Sequence, residues 1–550
     1  MGGGRVPLVL LVAAALLLLP SLVVGNLISH SSPQNLTWAE QFADQFRAGV
    51  LYPRWLPDSF DSLGGPAFYF YPPIAFWIDG LLSAATFNVF SVSYRLSFVT
   101  LLLLWASGLT MHAWLKAAAT SPRAALYGAL AYMAAPYHLV DHYWRGAFAE
   151  FAAYAVLPLV MLAVRHVAER RRLGPVFLAA AYAALPMTHL PTSLLISLTA
   201  LPLYVLYCGW RLGATRPAIG FFVRCALGGA LGLGLAAIYL VPALTLQDWI
   251  PVEEFWSGGY RLERWFLLPF VLQNGLAGMT VIIVSSALAC GIAAIGVLVV
   301  MTQEDLRRGW RSEAAFWSLT CLVCLSLIVG IVPWFWQMPF VAKVQFPWRL
   351  MIVVEFAAIT ALCLTPRYGR SRAISYIFVA ALIACAPAFG SMAQSIRLRV
   401  DASLAKPDVP QDLNQFLPAG YPQKPGAGYA DLSLQPLEDV PTISCTPTAR
   451  VCRAEQGRFG ELRIEVEGDG PTTVVLRRFF FPAWRLDPAL AIVATDPLRL
   501  VSFVAPAGRQ TYRLQRAALY EEKVGWAISG LSLVLLLAWA VAVRRGIRLA

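Results

Sequence analysis

The chain has 550 residues, of which 58% are hydrophobic and only 13% charged, a composition that excludes an ordinary soluble domain and is typical of a polytopic membrane protein. Its net charge of +12 does not indicate a nucleic-acid partner, because the Lys and Arg residues fall in short clusters between apolar runs, as topology-setting charges do. There is no Walker A motif, which argues against an ATP-driven pump, and no His/Cys spacing that predicts a metal site.

Apolar runs of about the length needed to cross a bilayer recur along the chain. The first, at 6–25, could be a cleaved signal peptide, but its weak cleavage site favours an uncleaved anchor. The others lie at about 94–115, 124–140, 147–164, 175–189, 191–208, 222–244, 279–301, 314–334, 348–364, 373–389 and 525–543. The sequence therefore predicts an all-α membrane domain over residues 1–393, with the last of about twelve spanning helices and a cytoplasmic tail in 523–550.

The basic clusters predict the orientation of these helices. They lie near 116–123, 165–172, 211–224, 307–311, 367–372 and 544–548. If the N-terminus is cytoplasmic, a loop that follows an even-numbered spanning helix is also cytoplasmic, which is where clusters of Lys and Arg are favoured. All six clusters lie in such loops only if the aromatic segment 68–90 does not span the membrane. We therefore predict that both termini are cytoplasmic and that segment 68–90 is re-entrant or interfacial, within a first outer loop at 26–93.

A small β-sandwich-like domain is predicted outside the membrane at 394–522. It opens with an irregular stretch at 406–436, and period-2 alternation then appears at 462–467, 472–478, 498–504 and 511–515. Cys445 and Cys452 flank a short polar loop there, and in an oxidising compartment they could form a disulfide.

The first outer loop holds several acids that could act as a general base. Glu40 and Asp44 are four residues apart on a predicted helix at 38–48, so they share a face, and its aromatic side is expected to lie on the membrane. Asp61 precedes a Gly-Gly turn that would let a substrate approach the backbone closely, and Asp58 lies just before it. Arg54 and Tyr71 are candidate substrate-binding residues in the same loop. The alternative for each acid is a solvated position on an interfacial segment.

A second group of candidates lies at the outer ends of later helices. The stretch HLVDHYWRGAFAE contains Asp141, a further candidate for the general base, and Arg145 and Glu150, candidates for substrate binding. Glu150 lies just inside an apolar run, where an acid is a functional candidate unless it only pairs with Arg145 to fix two helix ends. His189 could face a cavity or cap a kink. Two cations, Lys343 and Arg349, flank a Pro-Trp pair, which suits either a lipid phosphate or ordinary interfacial anchoring.

The chain resembles a bacterial family of integral membrane proteins related to pyruvoyl-tetrahydropterin synthase, which are similar to GT-C superfamily membrane glycosyltransferases. The matching segments are GVLYPRWLPD, GGPAFYFYPP, APYHLVDHYWRGAFAE, THLPTSLL, VQFPWR and FFFPAWR, between residues 49 and 485. The resemblance implies a polyprenyl-phosphate-linked sugar donor used on the extracytoplasmic face. GT-C enzymes usually carry an acid soon after the first helix. This chain has SHSSPQN there, so either one of the later acids or His30 would take that role, or the protein would not be catalytic.

The leading hypothesis is a glycosyltransferase of the bacterial inner membrane that transfers a hexosyl or pentosyl group to a glycan, lipid or protein acceptor of the cell envelope. A lipid-linked glycan transporter or flippase and a non-catalytic envelope assembly factor are the alternatives. No cofactor and no nucleic-acid partner are expected, and a requirement for a divalent metal is left open.

The predicted topology can be tested by cysteine labelling in intact cells. A cysteine introduced at Gly426 should react with a membrane-impermeant maleimide, whereas one at Arg170 should react only after permeabilisation, because the two sites are predicted on opposite sides of the membrane. The chain with its native cysteines is the control. Labelling of the Arg170 site in intact cells would contradict the assignment of the basic clusters.

Overall fold

We describe the protein from a computed structural model, for residues 4–118, 120–213, 216–255, 261–302, 312–365, 371–405, 412–421 and 440–545. Most of the irregular stretch predicted at 406–436, the labelling site Gly426 and much of the basic clusters near 307–311 and 367–372 lie outside these residues.

The first part of the chain is helical. Its helices are α1 (Arg5–Leu17), α2 (Leu19–Val24), α3 (Ser32–Arg47), α4 (Ser59–Ser62), α5 (Ala67–Phe70), α6 (Ile74–Ala85), α7 (Val92–Ala117), α8 (Pro122–Met133), α9 (Pro136–Tyr143), α10 (Phe148–Ala168) and α11 (Gly174–Thr188). The later helices are α12 (Leu190–Leu198), α13 (Ala200–Leu212), α14 (Arg216–Leu235), α15 (Ala237–Thr245), α16 (Leu267–Asn274), α17 (Met279–Thr302), α18 (Glu313–Val329), α19 (Pro333–Trp336), α20 (Met351–Leu364), α21 (Ser371–Ala405) and α22 (Tyr520–Arg544).

Eight helical segments among the described residues are long and apolar enough to cross a bilayer: Val92–Ala117, Phe148–Ala168, Leu190–Leu212, Arg216–Leu235, Met279–Met301, Pro347–Leu364, Arg372–Ala405 and Tyr520–Arg544. The protein is thus a multi-pass membrane protein. Four shorter apolar helices accompany them, namely Arg5–Leu17, Ile74–Ala85, Gly174–Thr188 and Glu313–Val329. The number of twelve spanning helices therefore stays a prediction.

The run predicted as one helix at 124–140 is two helices in the structure. Helix α8 ends at Met133 and α9 begins at Pro136. A proline disfavours helical backbone at the preceding residue, and Ala135 accordingly has φ −58° and ψ 133°. After this break, His138 and Asp141 are buried residues of the separate short helix α9.

Helix α3 forms where the sequence predicts a helix, but its aromatic side does not lie on the membrane. Trp38 and Phe42 are buried, and their rings contact Phe68 at centroid distances of 5.9 and 4.7 Å. Phe68 in turn packs at 4.8 Å on Phe76 of α6. This side of α3 is therefore a protein interface, formed by the aromatic run of the first loop. Helix α6 has 12 residues, about 18 Å of length, and the re-entrant assignment of 68–90 stays a prediction.

The C-terminal region contains two four-stranded antiparallel sheets. Their orders are β1-β4-β7-β6 and β2-β3-β8-β5, with β1 (Ile443–Thr446), β2 (Val451–Gln456), β3 (Leu462–Gly468), β4 (Thr472–Phe479), β5 (Trp484–Asp487), β6 (Val493–Ala494), β7 (Leu500–Ala505) and β8 (Gly508–Arg516). Phe503 of one sheet contacts Tyr512 of the other, and a disulfide joins Cys445 of β1 to Cys452 of β2. Helix α21 continues past the predicted domain boundary at 393 to Ala405.

The first outer loop is joined to both the β-rich region and the last helix. Trp55 contacts Trp484 at 5.2 Å, so the WLPD and FFFPAWR segments meet in one aromatic cluster. Arg54 is completely buried, and its Nε lies 3.0 Å from Oε2 of Glu522 at the start of α22. The hydroxyl of Tyr69 also donates to Glu522. Arg54 therefore has a structural role, which corrects its assignment as a substrate-binding residue.

One buried acid links α20 to three other helices. Glu355 of α20 accepts hydrogen bonds of 2.8 Å from the Tyr137 backbone N–H, the Tyr154 hydroxyl and the Ser286 hydroxyl, which belong to α9, α10 and α17. Three donors satisfy a carboxylate that is otherwise expensive to place inside a spanning helix. Glu355 thereby fixes the position of α9, which carries part of the site described below.

Replacing this acid should destabilise the protein. We expect Glu355→Leu to lower the free energy of unfolding by roughly 3 kcal/mol or more, because three buried donors lose their acceptor. Glu355→Gln, which keeps one carbonyl oxygen, should cost less. Thermal unfolding of the purified protein in detergent measures both, and a leucine variant as stable as the parent would contradict the assigned role.

Candidate active site

A cavity of about 360 Å³ lies where segment 26–93, predicted as the first outer loop, meets the N-terminal ends of α10 and α20. It is within the range of about 300–1,000 Å³ that is usual for small-molecule sites. Eight aromatic residues line it: Trp38, Tyr71, Trp144, Phe255, Trp265, Phe346, Trp348 and Phe416. Its titratable residues among the described part of the chain are His30, Tyr71, Arg145, Glu150, His189 and Arg349.

Glu150 holds two arginines on one wall of this cavity. Its Oε2 lies 2.8 Å from Nη1 of Arg145 and 3.2 Å from Nε of Arg349, and its Oε1 accepts a 2.7 Å hydrogen bond from the Tyr137 hydroxyl. The carboxylate is 1% exposed, whereas the Arg145 and Arg349 side chains are 12% and 9% exposed. Glu150 therefore lies behind the guanidiniums, and the arginines present the positive charge to the cavity.

The sequence of each element explains this convergence. Glu150 is in the first turn of α10, and Arg349 lies in the single turn Pro347–Leu350 that leads into α20. Arg145 belongs to the loop between α9 and α10, and its guanidinium faces the Phe346 ring at 5.7 Å. The three side chains thus meet where two spanning segments begin, at the expected boundary of the bilayer.

Asp141 lies behind the same cluster and does not line the cavity. Its Oδ1 accepts a 2.6 Å hydrogen bond from Arg145. Burial and then the nearby Glu150 raise the pKa of Asp141, while Arg145 opposes the shift. The acid is completely enclosed by protein, so its catalytic assignment is corrected to a role in holding Arg145.

His30 occupies the rim of the cavity beside these arginines. The backbone N–H groups of His30 and Ser31 donate to the carbonyls of Trp144 and Arg145, at 3.2 and 2.9 Å. Gly146 has φ +60°, and any side chain there would collide with the hydroxyl of Ser29, so a glycine lets the two loops come this close. Partial burial lowers the pKa of His30, and Arg145 and Arg399 lower it further.

His189 and Tyr71 complete the predicted residues that line the cavity. His189 lies between α11 and α12, and its Nδ1 is 2.7 Å from the Thr192 hydroxyl. The Tyr71 ring packs edge-on against Trp38 at 4.9 Å. The structure therefore brings together His30, Tyr71, Arg145, Glu150, His189 and Arg349 from the residues that the sequence singles out.

The acids of the first outer loop lie elsewhere. Glu40 pairs with Arg95 at 3.1 Å, and Asp44 pairs with Arg47, both on surfaces away from the cavity. Asp61 pairs with Arg477 of β4 and is 54% exposed. The catalytic assignments of these three acids are corrected accordingly. Helix α3 turns its buried face, and not its acidic face, toward the site, and Asp61 of α4 is directed to the β-rich region by its pairing with Arg477.

Lys343 is exposed and does not line the cavity either. It lies in the single turn Ala342–Val344, six residues before Arg349. Of the two predicted cations in this segment, Arg349 alone reaches the cavity.

Several amides line the cavity that the sequence did not single out: Gln34, Asn35, Gln345 and Gln415. Amides are common in solvated segments, so no pattern distinguishes these. Glu355 is different, because an acid in the middle of an apolar run could have been recognised as a candidate. No group of three or more His, Cys, Asp or Glu residues able to hold a metal occurs within the described ranges.

No protein-family model matches the chain, and no curated protein sequence matches it. Among solved structures, the chain is similar to two classes of the arabinofuranosyltransferase AftD from Mycobacteria, mutant R1389S. The sequence identity is 18% over 71% of this chain for one class, with a TM-score of 0.42. For the other class the identity is 16% over 68% of this chain, with a TM-score of 0.40. The chain spans 28% and 27% of that protein. ArnT from Cupriavidus metallidurans, bound to undecaprenyl phosphate, matches with 14% identity over 67% of this chain and 79% of its own, with a TM-score of 0.31. These are GT-C membrane glycosyltransferases, the class that the sequence resembles, and all three TM-scores are below 0.5.

Proposed function

We propose that the protein is a GT-C-type membrane glycosyltransferase that takes a sugar from a polyprenyl-phosphate-linked donor on the extracytoplasmic face and transfers it to a cell-envelope acceptor. The observation that carries the proposal is the pair of arginines, Arg145 and Arg349, held by one carboxylate at the wall of an aromatic cavity.

The charge of this cluster suits a phosphate. Arg145 and Arg349 line the cavity with a single carboxylate, Glu150, which is only 1% exposed and lies behind them, so the surface that the cluster presents to the cavity is positive. Guanidinium groups bind phosphate oxygens through charge-assisted, forked hydrogen bonds. A phosphate in the cavity would therefore find its counter-charge already in position.

The position of the cavity suits a lipid-linked donor. Arg349 lies two residues before α20, and Glu150 lies in the first turn of α10, so the cluster lies at the N-terminal end of two spanning segments, the end that we propose is extracytoplasmic. Aromatic side chains are favoured at such a boundary. A polyprenyl chain would lie in the bilayer while its phosphate and sugar enter the cavity.

His30 is the best candidate for the general base. Glu150 is a poor proton acceptor, since two guanidiniums and the Tyr137 hydroxyl already occupy its oxygens. Partial burial and the nearby Arg145 and Arg399 lower the pKa of His30, which favours the neutral imidazole, the form that can accept a proton. His30 also occupies the place after the first helix where GT-C enzymes usually carry an acid.

The reaction would be an inverting displacement. An acceptor hydroxyl oxygen attacks the anomeric carbon, the bond from that carbon to the phosphate oxygen breaks, and its electron pair leaves with the phosphate. The hydroxyl proton passes to His30. Arg145 and Arg349 stabilise the charge that develops on the leaving phosphate.

The orientation in the membrane belongs to the same proposal. Both termini would be cytoplasmic, about twelve helices would span the bacterial inner membrane, and the β-rich region would lie outside. The six basic clusters support this, and so does the Cys445–Cys452 disulfide, because such bonds persist in oxidising compartments.

Release of polyprenyl phosphate tests the proposal against the transporter and assembly alternatives. Purified protein in lipid nanodiscs is incubated with a panel of undecaprenyl-phosphate-linked hexoses and pentoses plus envelope glycans as acceptors. A glycosyltransferase liberates undecaprenyl phosphate and lengthens an acceptor. Sugar that stays lipid-linked with every donor, while the protein remains folded, would reject the enzyme and favour the alternatives.

Arg349, in the turn before α20, should contribute more to catalytic activity than a surface arginine. We expect Arg349→Ala to lower kcat/KM about tenfold or more, since a lost charge-assisted contact to phosphate costs roughly 1.5–3 kcal/mol. Arg261→Ala, at an exposed position that does not line the cavity, should have little effect. Equal effects of the two substitutions, with matched thermal stability, would rule out Arg349 as the phosphate ligand.

The pH profile should report on His30. Because its pKa lies below the usual value of about 6.5, kcat/KM should be constant near pH 7 and fall only as the pH drops through that lowered pKa. His30→Gln should lower kcat by about 10²- to 10⁴-fold and abolish this acid limb. Arg399→Met, which removes a nearby positive charge, should move the limb to higher pH. An unchanged acid limb in His30→Gln would assign the base to another residue.

A further inference from the structure

A strained backbone turn lies a few residues before Arg349, at the wall of the cavity. Gln345 has φ +71° and ψ −60°, and the Phe346 backbone N–H donates to the Val344 carbonyl at 2.9 Å. These are the angles and the hydrogen bond of a γ-turn with positive φ, which is rare in proteins because its central residue is strained. Glycine adopts positive φ at no steric cost, yet this turn is built on a glutamine.

The sequence around the turn leaves one backbone carbonyl without its usual partner. The single turn Ala342–Val344 is a 3₁₀ helix, in which the Val344 carbonyl would next accept from the N–H of residue 347. That residue is a proline and has no N–H. The carbonyl instead accepts a hydrogen bond from Nη1 of Arg349. The γ-turn therefore directs a backbone dipole at the guanidinium.

The side chain of Gln345 joins the same arginine to another residue of the cavity wall. Its Nε2 donates to the Phe255 carbonyl at 2.6 Å, and its Oε1 lies 3.4 Å from Nη1 of Arg349. A backbone carbonyl can only accept and a guanidinium can only donate, so an amide satisfies both. An ionised carboxylate of the same length could not donate, and the Phe255 carbonyl would lose its hydrogen bond.

These contacts leave one edge of the Arg349 guanidinium to the cavity. Its Nε faces Glu150 at 3.2 Å, its Nη1 is directed at the Val344 carbonyl, and the Phe346 ring lies 5.0 Å from its central carbon. None of the described residues accepts a hydrogen bond from Nη2. Because the guanidinium is planar and rigid, contacts that fix Nε and Nη1 also fix the direction of Nη2. That nitrogen is then the donor left for a phosphate oxygen.

We propose that Gln345 is a positioning residue for Arg349, and that its strained turn and its amide together aim this arginine at the phosphate of the lipid-linked donor. The proposal rests on the phosphate role of Arg349 in the proposed function, but it does not require that the protein transfers a sugar. Strain of this kind persists where the surrounding structure enforces it, and it is concentrated at ligand-binding and active sites. Relaxing the turn should therefore weaken phosphate binding without destabilising the protein.

Binding of undecaprenyl phosphate to the full-length protein in nanodiscs tests the proposal. We expect Gln345→Gly to weaken binding about tenfold, since the amide that holds Arg349 is lost. The same variant should unfold at a temperature no lower than that of the parent, because glycine relieves the strain at positive φ. Unchanged binding, or a loss of binding accompanied by a lower unfolding temperature, overturns the proposal.

A matched control comes from the same segment between α18 and α20. Gln337 is exposed, has φ −79° and does not line the cavity. Gln337→Gly should therefore leave the binding of undecaprenyl phosphate unchanged. A loss of binding as large as that of Gln345→Gly would mean that any glycine in this segment has the same effect, and would overturn the positioning role.

A double-mutant cycle shows whether Gln345 acts through Arg349. The variant that carries both Gln345→Gly and Arg349→Ala should bind undecaprenyl phosphate no more weakly than Arg349→Ala alone, because the side chain to be positioned is already absent. A merely structural role would give additive losses, which would overturn the proposal.

A charged variant tests whether the effect concerns the phosphate. The carboxylate of Gln345→Glu would pair with Arg349 and compete with the ligand, so binding of undecaprenyl phosphate should fall at least tenfold, while binding of undecaprenol, which has no phosphate, should not change. Equal losses for the two lipids would place Gln345 at the polyprenyl chain and overturn its positioning role.

Turnover separates this proposal from the proposed function. Non-additive binding effects of Gln345→Gly and Arg349→Ala, without release of undecaprenyl phosphate from any sugar donor, would keep the positioning role and reject the transferase. Release of undecaprenyl phosphate with additive effects of the two substitutions on kcat/KM would keep the transferase and overturn the positioning role. A parent protein that does not bind undecaprenyl phosphate overturns the positioning role together with the phosphate role of Arg349.

Discussion

The candidate site depends on one buried carboxylate. Glu150 neutralises part of the charge of Arg145 and Arg349 and fixes their direction, so that two cations can lie side by side in a mostly apolar cavity. Without it, two like charges would repel each other across a medium of low polarity, and burial of each would be costly. The surrounding elements support this arrangement. Asp141 and Tyr137 hold Arg145 from behind, and Glu355 holds the backbone of Tyr137.

The first outer loop contributes to the site mainly through its backbone hydrogen bonds, and its acids do not take part. Hydrogen bonds from His30 and Ser31 to the carbonyls of the loop before α10 bring the imidazole to the rim, and the glycine at position 146 makes room for that approach. The aromatic run after the Gly-Gly turn then closes one side of the cavity by packing on Trp38. The loop is therefore a wall of the site that is itself held by protein on both faces.

The sequence allowed a good part of this to be predicted, and the errors have physical causes. Charged residues at the ends of apolar runs are conspicuous, which is why Arg145, Glu150, His189 and Arg349 could be found. Helix α3 was predicted from its pattern, but its aromatic face was assigned to lipid, because a sequence does not say whether an apolar face meets lipid or another aromatic segment. Asp61 was a candidate base because it precedes a Gly-Gly turn, but it pairs with Arg477, which is far away in sequence. Such long-range pairs arise only from the tertiary fold.

The ion pair between Arg54 and Glu522 has a consequence for biosynthesis. Arg54 belongs to a loop made early, and Glu522 to the first turn of the last helix, so the partner of a fully buried guanidinium is synthesised only after nearly all the membrane helices have been inserted. Contacts between such distant parts of a chain are slow to form, and the wall of the cavity remains unsupported until they do. Closure of this pair would therefore be a late step in assembly, and a nascent chain arrested before α22 would hold its first loop open to the quality-control machinery of the membrane.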